Sequence, residues 1–173
     1  ELYFPRRWPR RILEAALPHG VRFTVLTRSA LPTQDFDLYA KYRGQVLLMA
    51  SIPTLDSNFT RVTEPRAPPP EARLAMLRRA KELGIEVGVV VAPIITRSGW
   101  RQDLERLFKA LAELKPSAVF GESLHPRGLN LARLRAAGAE AEVGPAVDRE
   151  VGHAFEELLK RYGLRGAYWY EYV

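Results

Sequence analysis

Four apolar runs recur along the chain, and the segments between them carry apolar residues every three or four positions. The runs are "VRFTVLT" (21–27), "QVLLMAS" (45–51), "IEVGVVVAPII" (85–95) and "SAVFGES" (117–123). Runs this rich in β-branched and aromatic residues read as strands buried on both faces, the condition met in parallel sheets. The intervening segments read as helices. Residues 6–18 place Ile12, Leu13, Ala16 and Leu17 on one face, and 33–42 form a short helix with Thr33 as its N-cap. A proline run then delivers Pro70 to the first turn of a helix striped by Leu74, Leu77 and Ala80 and closed by Gly84. Residues 99–115 present Leu104, Leu107, Phe108, Leu111 and Leu114, 129–138 end at Gly138, and 147–163 are again helical. The last segment, "GAYWYEYV" (166–173), reads as a strand or an irregular aromatic tail.

Strict alternation of buried strand and amphipathic helix predicts an α/β fold. Its parallel sheet should run in chain order through right-handed crossovers. An open doubly wound sheet and part of a βα barrel both satisfy the pattern, and in both the ligand sits at the C-terminal ends of the strands. The length of 173 residues suits one α/β domain, 1–173, with a core at about 20–138 and a C-terminal helix and aromatic tail at 147–173.

The strand ends share a chemistry. They are Thr27-Arg28-Ser29, Ser51-Ile52-Pro53-Thr54, Ala92-Pro93 followed by Thr96-Arg97, and Glu122-Ser123 leading to His125, Arg127 and Asn130. Parallel strands bring these groups to one rim. Hydroxyls, a cation and a carboxylate there suit a polar ligand that carries a carboxylate or phosphate and a diol. No "GxGxxG", "GxxxxGK" or "GxSxG" motif occurs, so the usual nucleotide turns and nucleophile elbow are absent.

Composition removes further classes. There is no cysteine, so these residues form no disulfide, thiolate metal site or cysteine-ligated iron–sulfur cluster. His19, His125 and His153 stand apart without metal-ligand spacing, and no metal ligand is expected among them. The net charge is +6, densest at Arg6, Arg7, Arg10 and Arg11 around Trp8. That cluster can grip phosphates and stack on bases, or form a solvated helix face, and the second is the expectation. No run approaches the ~20 apolar residues of a membrane span, and no signal-peptide h-region is visible. The chain is expected to be soluble and cytoplasmic, away from membranes.

Five segments in order carry a resemblance: "FTVLTRSAL…DFDLYAKY", "ASIPTLD", "EPRAPPPEARLAMLRRAKELG", "IEVGVVVAPII" and "GESLHPRGLN". Together they resemble the second half of a radical S-adenosylmethionine (SAM) enzyme of the spore photoproduct lyase-like subgroup, over roughly residues 20–135. The resemblance implies part of a partial (β/α)6 TIM-like barrel that binds SAM beside a 4Fe-4S cluster. By match, Arg28 takes the place of a lysine near the SAM carboxylate, Ser51 lies near the ribose or amino-acid moiety, and Ala92 and Pro93 border the adenine. Ser29 and Thr54 join this cofactor group, while Glu122, His125, Arg127 and Asn130 are the substrate-side candidates.

The family's "CxxxCxxC" loop and the first two strands have no counterpart here, so any cluster depends on residues absent from this chain. Two explanations stay open: the C-terminal part of a longer radical SAM enzyme, which is the expectation, or a degenerate, non-catalytic α/β binding module. Under either, this segment alone is not expected to be active. Its expected partner is the missing N-terminal half of the barrel or a second copy of itself, and DNA is one candidate substrate.

Overall fold

The computed structural model describes residues 7–171. Five strands, β1 (Phe23–Thr27), β2 (Val46–Ser51), β3 (Glu86–Ile94), β4 (Ala118–Ser123) and β5 (Gly166–Tyr168), form one sheet in the order β1-β2-β3-β4-β5. Every pair is parallel. The first four are the strands expected from the apolar runs, and the fifth resolves the aromatic tail: three residues pair with β4, the Trp169 amide closes the pairing on Gly121 O at 2.8 Å, and the chain departs at Tyr170.

The crossovers are helical: α1 (Trp8–Ala16), α2 (Phe36–Lys41), α3 (Ser57–Thr63), α4 (Pro70–Glu82), α5 (Trp100–Leu114), α6 (Asn130–Ala136) and α7 (Pro145–Tyr162). Pro70 opens α4 in its first turn, where the missing N–H has no intrahelical partner to lose. Three readings are corrected. Thr33 is no N-cap: Leu31–Asp35 form a 3-10 turn in which the Thr33 hydroxyl donates to Ala30 O at 2.9 Å, and α2 begins only at Phe36. Helix α3 was not expected, yet Asp56 caps it by accepting from the Asn58 and Phe59 amides, both at 3.0 Å. The last long helix begins at Pro145, two residues early.

The two faces of the sheet differ. Side chains two apart on a strand share a face. Val46, Leu48 and Ala50, with Val87, Val89 and Val91, join the main core against Leu74, Leu77, Leu107, Leu111 and Phe155 of the helices. On the other face Thr24 and Leu26 are exposed, and Leu47, Ala118 and Phe120 are half-buried. The Trp169 ring stacks on Phe120 there, with centroids 5.0 Å apart and planes at 13°. Met49 lies across Gly88, where an added Cβ would come within 2.9 Å of Met49 Cε. Thus the helices cover one face, while the other is open at Leu26 and partly open at Leu47 and Phe120, with Met49 and Val90 buried.

The arginines of α1 are committed within the chain. Arg10 donates through both terminal nitrogens to Asp37 at 2.8 Å and through Nε to Glu14 at 2.7 Å. Arg7 pairs with the buried Asp35 and donates to Gln34 O at 2.9 Å. The Arg10 hydrogen bonds hold the Asp37 carboxyl down to about 2. Arg11 lies over the Trp8 ring at 4.7 Å, and Arg6 lies outside the described residues. This cluster pins α1 to α2 rather than forming a freely solvated face.

Where α7 crosses β4, Gly121 leaves no room for a side chain. A Cβ there would stand 2.4 Å from Phe155 Cε2. Phe155 is itself held edge-on against Phe108, at 5.0 Å and 86°. Gly121→Ala is therefore expected to cost about 1–3 kcal/mol, the range for overpacked cores. Urea unfolding measures it, and an unchanged midpoint would mean that Phe155 repacks freely.

Candidate functional site

The C-terminal ends of β1, β2 and β3 build one corner of the rim. Arg28, one step beyond β1, and Ser51, the last residue of β2, stand side by side. The Arg28 Nε donates to Ser51 Oγ at 3.4 Å, and Ser51 Oγ donates to Ala92 O at 3.0 Å. Beneath them lies Arg73 of α4, fully buried, with every arm used. Its Nε donates to Pro68 O and its Nη1 to Ser51 O, both at 2.9 Å, and its Nη2 pairs with Glu64 Oε2. Glu64 caps the C-terminal end of α3, and its other oxygen lies 3.4 Å from Arg28 Nε. A buried guanidinium without this carboxylate would be an uncompensated charge, costing about 3–5 kcal/mol.

A cavity of about 780 Å³ opens beside this corner. Its walls are α3 (Phe59, Val62, Thr63, Glu64), the loop after β2 (Pro53, Thr54), the end of β3 and its loop (Pro93, Ile94, Ile95, Arg97), the start of α5 (Trp100, Asp103), and the segment from Leu124 through α6. Arg28, Thr54, Pro93, Arg127 and Asn130, all expected at the site, line it. Thr54 Oγ1 accepts from the Asp56 amide at 3.0 Å and stands 3.5 Å from Asp103 Oδ2. Arg97 is neutralised: it pairs with Asp103 and, at 2.9 Å, with Asp56, and it lies 4.3 Å over the Phe59 ring. Asn130 shapes the wall, accepting from the Arg127 amide at 3.0 Å and donating to His125 O at 2.7 Å.

The other expected residues do not line the cavity. Ser29 is used in a turn: its amide donates to Thr27 Oγ1 at 2.9 Å, and its hydroxyl accepts from the Leu31 amide at 3.1 Å. Ser51 and Ala92 sit behind Arg28. Glu122 and His125 belong to a buried knot under the end of β4. His125 Nδ1 lies 3.0 Å from Glu122 Oε1 and 2.7 Å from Glu171 Oε2. Its Nε2 lies 3.0 Å from Ser123 Oγ and 3.3 Å from Asp148 Oδ1. The histidine that stands apart in sequence is thus surrounded by acceptors in space. Asp148, at the start of α7, takes the hydroxyls of Ser123 and Tyr168, each at 2.7 Å, and the Glu171 amide at 3.2 Å.

Ser123, His125 and Asp148 meet, but not as a hydrolytic triad. In a triad the imidazole bridges serine and carboxylate through different nitrogens. Here both touch Nε2, the serine donates straight to the carboxylate, and all three are buried. The knot ties the tail and α7 to β4. Sequence reasoning missed Asp148, Tyr168 and Glu171 here, and Glu64 and Arg73 at the first corner.

No family model matches the chain. In sequence it is similar to the uncharacterized protein ORF301 of Acidianus two-tailed virus, 48% identical over 176 residues, 98% of this chain and 58% of the viral protein. Uncharacterized proteins of Mycobacterium tuberculosis and Mycobacterium bovis are 30% identical over 122 residues, 68% of this chain and 35% of theirs. The chain therefore spans little more than half the length of the viral relative and about a third of the mycobacterial ones.

In structure it is similar to spore photoproduct lyase complexed with dinucleoside spore photoproduct, with a TM-score of 0.71 and 16% identity over 92% of this chain and 54% of that one. It is also similar to Streptococcus suis SuiB bound to S-adenosylmethionine (0.72, 14%, 92% and 36%). A domain of pyruvate-formate lyase-activating enzyme from Bacteroides vulgatus follows (0.68, 18%, 94% and 89%). These neighbours are radical SAM enzymes, and at such identities what the chain shares with them is the fold: parallel strands alternating with helices, as in their TIM-like barrels. No helix among the described residues is long and apolar enough to cross a membrane.

Asp148 gives the knot a pH signature. Burial pushes its carboxyl up, but the hydrogen bonds from Tyr168, Ser123, His125 and the Glu171 amide outweigh burial and hold it below the usual carboxylate range. A lowered folded-state value stabilises the fold above the unfolded value, about 3.9, and that contribution is lost as pH falls through the folded value. Asp148→Asn should therefore be less stable than the parent at pH 7 by urea unfolding, and the gap should shrink at pH 3. A gap of equal size at both values would mean that shape, not charge, holds the knot.

Proposed function

We propose that this chain is the SAM-binding C-terminal part of a radical SAM-type barrel of the spore photoproduct lyase-like subgroup. The carrying observation is Arg28. Its Nε is engaged by Ser51 and Glu64, its terminal nitrogens hold no hydrogen bond among the described residues, and its side chain borders the 780 Å³ cavity. A forked cation so placed suits a ligand carboxylate.

The cavity fits the rest of such a ligand. Phe59, Pro93, Ile94, Ile95 and Trp100 offer apolar walls to a purine, and Thr54 a hydroxyl to its ribose. In this reading Arg28 anchors the amino-acid end with Ser51 bracing it from behind, Pro93 borders the adenine with Ala92 behind it, and Ser29 braces the turn that carries Arg28. Arg127 and Asn130, with Glu122 and His125 behind them, form the substrate-side wall. SAM, when bound beside a reduced cluster, supplies radical chemistry by reductive cleavage. The residues of this chain do not fit the cluster: with no cysteine they offer it no thiolate, and no step is assigned to it.

DNA, the substrate candidate raised by the resemblance, draws no support from Arg7 and Arg10, whose charges are spent on Asp35 and Asp37. A second reading, a non-catalytic module that binds the same ligand, is favoured by one observation, the absence of cysteine from all 173 residues. The readings differ in what covers the free edge of β1 and the open sheet face, which in the first is the preceding half of the barrel or a second copy.

Calorimetry with SAM tests the site. Arg28→Ala should lose about ten- to a hundredfold in affinity, the worth of a charge-assisted bond, and Ser51→Ala about three- to tenfold. Unchanged affinity in Arg28→Ala would remove the proposal. Sedimentation separates the two readings: the barrel half should self-associate when alone, whereas a stable monomer supports the module.

A further inference from the structure

Glu64 presents a puzzle that the ligand reading alone does not answer. Its side chain is 10% exposed. One oxygen is fixed by Arg73, while Oε1 is buried without a hydrogen-bond partner. Leaving a buried carboxylate oxygen unbonded is costly, and each such group calls for a physical explanation. Stabilising Arg73 does not require that oxygen, because Arg73 already has Pro68 O, Ser51 O and Glu64 Oε2. The cation nearest Oε1 is Arg28, whose Nε lies 3.4 Å away, beyond a good charge-assisted bond.

Resting on the reading of the cavity as a carboxylate-bearing ligand's site, we infer that Glu64 is a positioning residue for Arg28. The chain of charges runs Arg73–Glu64–Arg28. The buried arginine is anchored to two backbone carbonyls, so it fixes the carboxylate in place. The carboxylate in turn draws the Nε edge of Arg28 toward Ser51, leaving the terminal fork turned to the ligand. Arg28 is otherwise a long, half-exposed side chain with several rotatable bonds. Its ordering is a cost that a ligand would have to supply on binding, and the fixed carboxylate supplies part of it beforehand. "EPRAPPPEAR" encodes the device: Glu64 precedes the proline run, Arg73 follows in the first turn of α4, and both meet below the end of β2.

The test uses this chain, calorimetry, and two ligands: SAM, and methylthioadenosine, which keeps the adenine and ribose but lacks the amino-acid end. Glu64→Gln retains an amide oxygen for Arg73 and removes the charge facing Arg28. It should weaken SAM about tenfold, the difference between a well-ordered charged contact and a loose one. Methylthioadenosine should bind parent and variant within twofold, which also reports that the cavity is intact. In an Arg28→Ala background, Glu64→Gln should cost nothing further.

Equal losses for both ligands would make Glu64 a structural prop and overturn the inference. A tenfold loss that persists without Arg28 would also overturn it, because Glu64 would then touch the ligand itself. Glu64→Asp, which keeps the charge, is expected to fall between parent and Glu64→Gln for SAM alone, and no recovery relative to Gln counts against the inference. If the parent binds SAM and Glu64→Gln binds it equally, the inference fails and the cavity reading stands. If the parent binds neither ligand, both fall.

Discussion

The parallel ladder dictates where chemistry can occur on this chain. Each strand must return to the same edge through a covering helix, so every C-terminal end arrives at one rim. The register then decides which side chains share a face. Leu26, Met49, Gly88 and Ala118 lie in one row across β1 to β4. Moving two residues along keeps the face, and at β1 and β2 it reaches Arg28 and Ser51 together. Their contact thus follows from a strand pairing set several residues earlier. A one-residue slip between β1 and β2 would turn one of them to the opposite face and separate the cation from the hydroxyl.

Two buried polar centres support this rim, and their difference is informative. Around Asp148, four donors converge on one carboxylate, and a histidine fills the space between Asp148, Glu122 and Glu171. Such a network is satisfied from within and acts as a latch for α7 and the tail. Around Arg73 the cation is fully satisfied, but its carboxylate partner is not. The complete centre lies under β4, away from the cavity wall, and the incomplete one lies on it. Low dielectric strengthens bonded polar groups and penalises unbonded ones, so an unfilled valence beside an open cavity is where a ligand-linked charge has most leverage.

Most of the fold was legible because apolar side chains on both faces of a strand leave a run that few other structures produce, even though one face of the sheet is only partly covered. Helix α3 escaped for the opposite reason: "SNFTRVT" buries only Thr60, so it carries no apolar stripe, and its one clear signal was the Asp56 cap. The strand-end residues Arg28, Thr54 and Pro93 were legible from topology alone. Glu64 and Asp148 were not, since each acts from a helix boundary on a residue many positions away, and periodicity reports a face but never a partner. Arg73 did leave a trace. It falls in phase with Leu77 and Ala80 on the buried stripe of α4, and a charge in that position announces a buried partner.

The open sheet face carries the last constraint. A sheet that meets water on one side normally alternates, with polar side chains outward. Here the outward set includes exposed Leu26, half-buried Leu47 and the Phe120–Trp169 stack, with Met49 and Val90 buried between them and Thr24 and Glu86 nearer the start of the strands. Polarity on this face is thus lowest in its middle and returns at the rim, in Arg28, Ser51 and Glu122. That gradient is what the interior of a βα barrel requires, a dry floor beneath a polar mouth. In a stand-alone module Leu26, Leu47 and the Phe120–Trp169 stack would leave an apolar patch in water for no gain in stability. The half-barrel reading therefore accounts for the open face and the rim by one cause, whereas the module reading needs a separate reason for the floor.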